Sequence, residues 1–374
     1  MKKKKVKLCI FTPFEGQYSE TFIKNHIDYL DAEKFLLFGT DISTLVFNAK
    51  PLLIQKWFNR IKNKIYTKVT GDKNFLFEKI LIKFLVTNKI QVVLAEYGPS
   101  GVLINKACKK TKIPLIVHFH GYDASVYNII NDYKISYKYL FQSCYAIISV
   151  SKSMNQRLID LEAPKNKIHL NPYGINTDIF NFNYKENYKY FLSVGRFVDK
   201  KAPHLTILAF YNAYRKDQSI KLKMVGDGPL LAACQILAKA LKIDNSIEFL
   251  GVKTSVEIAD LMQNATAFLQ HSIISPDGNA EGTPLAILEA GACGLPVIST
   301  KHEGILDVIN SGTNGILTDE FDIEGMGNAI LQIKIDTKKF KKMREMSREN
   351  IQHNYNLKKH ISILQTLICD AAQN

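Results

Sequence analysis

Long apolar runs and paired cysteines are both missing from this sequence. It has no stretch of 18 apolar residues free of charged side chains, so no membrane-spanning helix is expected. The six cysteines are scattered and form no Cys-x-x-Cys, which argues against zinc ribbons and thioredoxin-like sites and fits a reducing cytoplasm. Residues Met1–Lys7 resemble the basic start of a signal peptide. The apolar run Leu8–Phe14 is too short for one and meets Glu15, so we interpret it as a first strand.

What remains is the composition of a globular protein with more than one domain. The 374 residues are 46% hydrophobic and 22% charged, values that argue against disorder, collagen and coiled coil. At about 100–200 residues per domain, the length predicts two domains or three. A chain this long buries enough surface to fold without disulfides or a structural metal.

Positive charge is concentrated in the first half of the chain. The net charge is +14, and residues 1–150 hold 23 Lys and Arg against 11 Asp and Glu, whereas the remainder holds 26 against 24. Residues 51–90 carry nine of the basic residues, and apolar positions 54, 57, 58, 61 and 65 follow helical spacing. This basic amphipathic segment predicts contact with an anionic membrane surface, the alternative being a core helix with a solvated lysine face. Nucleic-acid binding is not expected, because no helix-turn-helix, RNA-recognition or zinc signature accompanies the charge.

Short, almost unbroken apolar strands alternate with helical patterns along the chain. The alternation predicts right-handed βαβ units and two parallel sheets covered on both faces. The expected strands are Val6–Thr12, Phe35–Phe38, Gln91–Ala95, Leu115–His118, Ala146–Val150, Lys167–Leu170, Tyr190–Val194, Leu222–Val225, Ile247–Leu250, Ala267–Leu269 and Val297–Ser299. We expect a first domain over 1–172, a linker over 173–189, a second domain over 190–355, and a final helix, Leu357–Ala371, within 356–374.

Open α/β sheets bind ligands at the carboxyl ends of their strands, and one such end carries two glutamates. Glu281 and Glu289 lie eight residues apart. If the stretch is helical, that is about 12 Å, too far for the carboxylate pair of a retaining glycoside hydrolase. Pro284 suits the first helical position, which leaves the N–H groups of Gly282 and Thr283 facing an anion. Two acids on either side of a phosphate suit a nucleotide-sugar, with its sugar hydroxyls, diphosphate and ribose.

Cationic and imidazole groups are expected at two other strand ends. Arg196 and Lys201 leave one strand-to-helix loop and would neutralise a leaving diphosphate, whereas Lys200 is expected to be solvated. In the first half, His120 precedes a glycine that leaves room for a ligand near the imidazole. We expect His118 to be structural.

Other nucleotide and metal motifs are incomplete or missing. Gly226-Asp227-Gly228-Pro229 follows a strand but resembles only half of a phosphate loop. The sequence has no Gly-x-x-x-x-Gly-Lys-Ser/Thr and no Gly-x-Ser-x-Gly, which argues against a P-loop NTPase and an esterase. It also has no Asp-x-Asp, so no metal site of that type is expected and no metal or prosthetic group is required.

Together these residues resemble the retaining GT-B glycosyltransferases of family 4, in particular the bacterial exopolysaccharide branch typified by colanic acid and amylovoran enzymes. Glu281 to Glu289 matches the Glu-x7-Glu motif of that family. The other matching segments are Ser19–Ile23, Gly195–Lys201, Gly226–Pro229, Gly294–Val297 and Thr300–Ile305. The resemblance implies two Rossmann-like domains facing across a cleft, the first binding the acceptor and the second the nucleotide-sugar. It also implies that the final helix crosses back to the first domain.

The resemblance assigns roles to individual residues. The catalytic set would be Glu281 on the donor sugar, His120 beside that sugar, and Arg196 and Lys201 on the diphosphate. The donor-binding set would be Glu289 at the ribose, the backbone of Gly282, Thr283, Pro284 and Leu285, Val252 near the base, and Gly16. The sequence departs from many relatives by having a single glycine, Gly16, after the first strand, and by having Glu96-Tyr97 where exopolysaccharide relatives often have a histidine.

These features predict a retaining hexosyltransferase whose donor is a nucleotide-sugar, expected to be a UDP-sugar. The acceptor is expected to be a saccharide, lipid-linked, at the inner face of the cell membrane. A cytoplasmic, peripheral location follows from that, with contact through residues 51–90. The alternatives are another enzyme on the same fold, such as a phosphorylase or sugar-nucleotide epimerase, and a basic binding module without catalytic activity.

Overall fold

The structure, a computed structural model, describes residues 5–13, 21–41, 44–47, 50–51, 75–183, 188–335 and 337–374, with 50–51, 335 and 337–339 described by their backbone alone. The chain divides into two compact units. Unit 1 comprises Met1–Asn171 and Ile361–Asn374, and unit 2 comprises Pro172–His360. Each unit is built around one sheet with helices.

Unit 1 holds an eight-stranded sheet. Its strands are β1 (Lys7–Thr12), β2 (Glu33–Phe38), β3 (Val46–Phe47), β4 (Lys50–Pro51), β5 (Val92–Glu96), β6 (Leu115–His118), β7 (Ala146–Ser149) and β8 (Ile168–Leu170). The sheet order is β4-β3-β2-β1-β5-β6-β7-β8, parallel except for the pairings of β3 with β2 and β4. Its helices are α1 (Thr21–Tyr29), α2 (Phe75–Thr87), α3 (Gly98–Thr111), α4 (Tyr122–Ser125), α5 (Tyr127–Ser143) and α6 (Lys152–Asp160).

Unit 2 holds a six-stranded parallel sheet. Its strands are β9 (Tyr190–Val194), β10 (Leu222–Val225), β11 (Ile247–Phe249), β12 (Ala265–Gln270), β13 (Val297–Thr300) and β14 (Gly315–Thr318), in the order β11-β10-β9-β12-β13-β14. Its helices are α7 (Pro203–Tyr214), α8 (Leu231–Ala240), α9 (Ser255–Gln263), α10 (Leu285–Ala292), α11 (Ile305–Val308), α12 (Ile323–Ile335) and α13 (Thr337–Asn354). The helix α14 (Leu357–Ala371) follows.

The strand order of each sheet reverses at one point. In unit 1, β1 lies between β2 and β5, and in unit 2, β9 lies between β10 and β12. At such a point the connections leave on opposite faces of the sheet, which opens a crevice at the carboxyl ends of the strands. In unit 2, the segments that carry Arg196, Lys201 and Glu281 follow β9 and β12. In unit 1, Glu96 is the last residue of β5.

Burial on both sheet faces explains the unbroken apolar strands. All five residues of β5 are buried. In unit 1, Leu8, Ile10, Val92 and Leu94 pack in one core with residues of α14, namely Leu364, Ile368 and Ala371. In unit 2, the buried core joins strand residues such as Phe191, Leu222 and Leu269 to Ile207 and Phe210 of α7 and to Met326 and Ile330 of α12.

The predicted fold class is confirmed, and every expected strand is present with its ends shifted by no more than a residue or two. The sequence prediction missed β3, β4 and β14. The first two are two-residue strands, too short to show periodicity, and β14 begins at a glycine, a residue depleted in strands. The helix α14 begins and ends at the residues expected for it.

Most of the predicted membrane-contact segment, residues 52–74, lies outside the described residues. The described part, α2, buries Phe77, Leu81, Phe84 and Leu85. Lys79 and Lys83 lie on its exposed side, as in the core-helix alternative. Among the described residues, no helix is both long and apolar enough to cross a bilayer.

Candidate active site

The loop after β9 is supported by a glycine that follows β10. The Gly195 N–H donates to the Val225 carbonyl (3.0 Å). Gly226 has a φ of +131°, and a Cβ there would lie 2.0 Å from the Gly195 carbonyl oxygen, so only glycine fits. The glycine motif that resembles half a phosphate loop therefore supports the neighbouring loop, which carries Arg196 and Lys201.

A 3₁₀ turn, Asp199–Lys201, brings lysines towards the next strand end. Ala202 ends the turn in a left-handed conformation with a φ of 35°. The Lys201 Nζ donates to Gln270 Oε1 (3.2 Å), at the end of β12, and lies 3.1 Å from Glu281 Oε1. One ammonium group thus joins the loops after β9 and β12. Sequence reasoning missed Gln270, although a polar residue at the end of a buried apolar strand is a usable signal.

The expectation that Lys200 is solvated was wrong. Its side chain is 12% exposed, and its Nζ lies 4.0 Å from Glu281 Oε2 and donates to the Ala280 carbonyl (3.2 Å). Burial lowers the pKa of Lys200, while the carboxylate of Glu281 opposes that change. Two ammonium groups therefore approach one buried carboxylate.

Glu281 is an ionised carboxylate in a buried position. Burial alone would raise its pKa, but the charges of Lys200 and Lys201 bring the pKa down to about 2. The Glu281 N–H donates to His302 Nε2 (3.1 Å), and His302 Nδ1 lies 2.5 Å from Glu320 Oε1. Because Nε2 accepts, the proton of His302 lies on Nδ1 and is donated to Glu320. The ammonium groups neutralise the side chain of Glu281, and the imidazole of His302 holds its backbone N–H.

The helix α10 begins one residue later than expected. The Pro284 carbonyl accepts the N–H of Ile287 (3.0 Å), so Pro284 is the N-cap and not the first helical residue. Within the described parts of the chain, the N–H groups of Gly282, Leu285 and Ala286 have no acceptor. Those donors and the helix dipole together favour an anion at this end of α10.

Glu289 lies on α10, four residues after its start, and is partly buried. Burial raises its pKa to about 7, with the charge of Lys201 opposing the rise. Its carboxyl makes no hydrogen bond or ion pair with any residue that the structure describes. Because the residues before Leu285 are not helical, the 12 Å spacing expected for a continuous helix between the two glutamates does not apply.

Other predicted donor contacts lie on neighbouring loops. Arg196 is exposed and lines a small crevice with Lys201 and Gln270. Val252 is 49% exposed and follows β11, on the other side of β10 from β9. Gly16 lies outside the described residues. In unit 2 the predicted residues therefore lie at the carboxyl ends of β9, β11 and β12 and at the start of α10.

In unit 1, His120 belongs to a buried cluster centred on Glu96. The His120 Nε2 lies 2.8 Å from Glu96 Oε2, and His26 Nδ1 lies 2.7 Å from Glu96 Oε1. The Nδ1 of His118 lies 3.7 Å from Glu96 Oε2. The His120 ring also stacks on Phe22, with 4.4 Å between ring centroids. Sequence reasoning missed Glu96 and His26, although an acid that ends an otherwise apolar strand was a visible signal.

The carboxyl of Glu96 is ionised despite complete burial. Burial alone would raise its pKa, but the imidazoles of His26 and His120 lower the pKa to about 2. Ligand-type atoms of His26, Glu96 and His118 lie within 4.8 Å of one another, a spacing compatible with a metal ion. The distances from Glu96 to His26 (2.7 Å) and to His120 (2.8 Å) are those of charge-assisted hydrogen bonds. We therefore interpret the cluster as one carboxylate hydrogen-bonded to two imidazoles.

Asp123 fixes the backbone around His120. Its carboxylate accepts the N–H groups of Gly98 (3.0 Å), His120 (3.0 Å) and Gly121 (2.9 Å). The Tyr137 hydroxyl donates to the Asp123 carbonyl (2.9 Å). The side chain thus ties the end of β5 to the loop after β6, and its role is structural.

Two family models for glycosyltransferases match this sequence. The family model "Glycosyltransferase Family 4" matches residues 47–179, and the model "Glycosyl transferases group 1" matches residues 175–352. The chain is 27% identical over 293 residues to the putative colanic acid biosynthesis glycosyltransferase WcaL of Escherichia coli, covering 76% of this chain and 72% of that protein. It is 28% identical over 247 residues to the amylovoran biosynthesis glycosyltransferase AmsK of Erwinia amylovora, covering 65% and 61%.

Solved structures share the fold at low sequence identity. The crystal structure of Anabaena HepE in complex with UDP matches with a TM-score of 0.76 at 14% identity and covers 98% of this chain and 100% of that one. A glycosyltransferase from Rickettsia africae matches with a TM-score of 0.75 at 18% identity and covers 98% and 99%.

Proposed function

Because the chain belongs to family 4 of the glycosyltransferases, we propose that it transfers a hexose from a UDP-sugar to a saccharide, with retention of configuration. The observation that carries the proposal is the Lys201 ammonium, which lies 3.1 Å from Glu281 and donates to Gln270. At the start of α10, the N–H groups of Gly282, Leu285 and Ala286 have no acceptor among the described residues. Cations beside unoccupied donors suit a diphosphate. The UDP in the HepE structure agrees with that donor, and the names of the relatives agree with a glycosyltransferase.

Each donor contact has a chemical reason. Glu281, held ionised, accepts hydrogen bonds from hydroxyls of the hexose. Arg196, Lys201 and the backbone of Gly282–Leu285 bind the diphosphate. Glu289, whose carboxyl has no other partner among the described residues, accepts the ribose hydroxyls.

The remaining predicted roles complete this assignment. Val252 is assigned to the base, Gly16 to the donor and His120 to the transferred hexose. Unit 2 is the nucleotide-sugar domain, and unit 1 binds the acceptor.

The proposed route is front-face displacement. The bond between the anomeric carbon and the diphosphate breaks, the acceptor oxygen attacks from the same face, and its proton passes to the departing phosphate. Lys201 and Arg196 stabilise the negative charge that grows on the leaving group. These two cations supply the charge that a divalent metal would otherwise provide, so the route requires no metal.

The acceptor is proposed to be lipid-linked, in the synthesis of a surface polysaccharide. The names of the relatives, colanic acid and amylovoran biosynthesis enzymes, support the polysaccharide class. The concentration of positive charge in residues 1–150, with 23 basic against 11 acidic residues, supports work at an anionic inner membrane surface through residues 51–90. The location is then cytoplasmic and peripheral.

The test is nucleotide release by the purified protein against a panel of UDP- and GDP-sugars, with and without a membrane extract as acceptor. We expect release of UDP that depends on the acceptor, and an α- or β-linkage that keeps the anomeric configuration of the donor, read by NMR. Release without acceptor would indicate another enzyme on this fold, and UDP binding without any release would indicate a binding module. Either result overturns the proposal.

A further inference from the structure

The carboxylate of Glu96 lies where the strand order of unit 1 reverses, at the end of β5 next to β1. Its exposure is 0%. One oxygen meets His26 of α1 and the other meets His120 of the loop after β6. A single side chain therefore joins a helix and a loop that lie 94 residues apart in the sequence (26 and 120).

The ionised state of Glu96 determines where the protons of its partners lie. A carboxylate accepts hydrogen bonds and donates none, so each imidazole nitrogen that faces it carries a proton. His26 is then protonated on Nδ1, and His120 on Nε2. When the ring of His120 is neutral, Nδ1 is the nitrogen that carries no proton.

Other contacts restrict His120 to the same orientation. Its backbone N–H is held by Asp123 (3.0 Å). Phe22 stacks on one face of the ring and the Tyr97 ring meets it at an interplanar angle of 64°, with 4.6 Å between centroids. Phe22 and His26 are four residues apart on α1, so they share one helix face. That face contacts both the ring of His120 and the carboxylate that fixes its proton.

We propose that Glu96 is a positioning residue that holds His120 in one orientation with its proton on Nε2, through an arrangement that it shares with His26. This positioning role refines the proposed function. It rests on that function only for the place of His120 beside the transferred hexose. A histidine whose tautomer is fixed presents one defined acceptor, which a freely turning imidazole does not.

The direct test reads the protons of His120 and needs no turnover. Histidine labelled with ¹⁵N in the full-length protein is observed by long-range ¹H–¹⁵N NMR at pH 8. The signals of His120, among nine histidines, are assigned by their loss in His120→Ala. We expect a protonated Nε2 and a bare Nδ1. A ring of His120 protonated on Nδ1, or an equal mixture of tautomers, overturns the proposal.

The second test replaces the carboxylate without changing its shape. In Glu96→Gln the amide accepts from one imidazole but presents N–H to the other, so the two rings can no longer both donate. We expect kcat for acceptor-dependent UDP release to fall about tenfold or more. The Kd for UDP, measured by calorimetry, changes less than about twofold, because the residues proposed to bind the diphosphate, the ribose and the base are all in unit 2.

The matched control is Glu78→Gln. Glu78 is also a buried glutamate of unit 1, 7% exposed, and forms an ion pair with Lys110 away from this cluster. An equal loss of kcat in both variants, or an unchanged His120 and His26 spectrum in Glu96→Gln, contradicts the proposal. So does stoichiometric zinc in the purified wild-type protein that is lost in Glu96→Gln.

The role of His120 in transfer and the positioning role of Glu96 can be contradicted separately. If His120→Ala retains full transfer activity, the role of His120 in the proposed function is wrong, while the tautomer measurement still decides whether Glu96 positions the ring. If His120→Ala loses activity and the tautomer is as expected, but Glu96→Gln keeps its full kcat, Glu96 has only a structural role and the proposal is overturned.

Discussion

Glu96 in unit 1 and Glu281 in unit 2 are both buried carboxylates with a pKa of about 2, but the groups that surround them differ. Glu96 has imidazole hydrogen bonds of 2.7 and 2.8 Å. Glu281 has ammonium groups at 3.1 and 4.0 Å, and its Oε1 has no aligned hydrogen-bond donor in the described part of the chain. The first arrangement is directional and fixed, whereas the second consists of charges on long, flexible stems.

That difference indicates different tasks for the two clusters. An imidazole held by a carboxylate keeps one orientation, which suits a residue that must present one atom to a substrate. A lysine that neutralises a carboxylate without a well-aligned hydrogen bond can turn towards a phosphate at little cost. Lys200 then remains near Glu281, so the carboxylate is not left as an isolated buried charge.

The largest effect is expected from removing the ammonium group of Lys201 or the carboxylate of Glu281. We expect Lys201→Ala to lower kcat about 100-fold or more, because the leaving diphosphate loses a positioned cation. Glu281→Ala should cause a loss of similar size. The measurement is acceptor-dependent UDP release, with circular dichroism to show that the fold is intact. Lys239→Ala, at an exposed position of α8, is the control. Near-normal rates in Lys201→Ala or Glu281→Ala would refute the site.

The next largest effect is expected on the free energy of unfolding when Gly226, which supports the loop of Lys201, is replaced. In Gly226→Ala the new Cβ meets the Gly195 carbonyl oxygen at 2.0 Å with φ at +131°, and we expect a loss of about 1–3 kcal/mol or more in the free energy of unfolding. Gly251→Ala, also at a positive φ (+64°) but with no atom within 4 Å, should lose less, about 1 kcal/mol. Denaturant unfolding measures both, and equal losses would contradict the close approach.

A smaller effect concerns pH. The pKa of Glu281, about 2, keeps it ionised throughout pH 5–9, whereas Glu289 has a pKa of about 7 and gains a proton below neutrality. Hydrogen bonds to the ribose then lose a charged acceptor. We expect the affinity for UDP-glucose, whose diphosphate does not titrate in this range, to be about three- to tenfold weaker at pH 5.5 than at pH 8.

Glu289→Gln should abolish most of that dependence, because the amide does not titrate. Isothermal calorimetry at several pH values measures it. A wild-type affinity that stays constant from pH 5.5 to 8, or a variant that keeps the full dependence, would remove Glu289 from the ribose site.

The last prediction concerns how Glu289 makes the stability of the folded protein depend on pH. Burial raises the pKa of Glu289 from its usual 4.5 to about 7, so the folded protein holds this proton more tightly than the unfolded chain does. The contribution of this group to stability is present below pH 4.5, falls as pH rises from 4.5 to 7, and is constant above that. The Tm of Glu289→Gln relative to wild type should therefore increase by several degrees from pH 5 to pH 8. An equal difference at both pH values would contradict the raised pKa.

The sequence predicted those parts of the site that depend on short spacing. Arg196 and Lys201 lie on one loop, and Glu281 and Glu289 lie on either side of a helix start, as local patterns indicated. The pairing of His26 with Glu96 was not predictable from spacing, since it depends on the packing of α1 against β5 across 70 residues.

The errors have local causes. Two adjacent lysines look equivalent in the sequence, and only the 3₁₀ turn and the left-handed Ala202 after it show that Lys200 also faces Glu281. Pro284 suits both the N-cap and the first helical position, and only the hydrogen bond from Ile287 to its carbonyl distinguishes them.

The packing of α14 against the sheet of unit 1 has a consequence for biogenesis. Leu364, Ile368 and Ala371 fill the core beside Leu8 and Val92, yet the ribosome makes them after the whole of unit 2. The nascent sheet therefore keeps an apolar face uncovered while nearly two hundred further residues are translated, the interval in which chaperones and proteases act on incomplete domains.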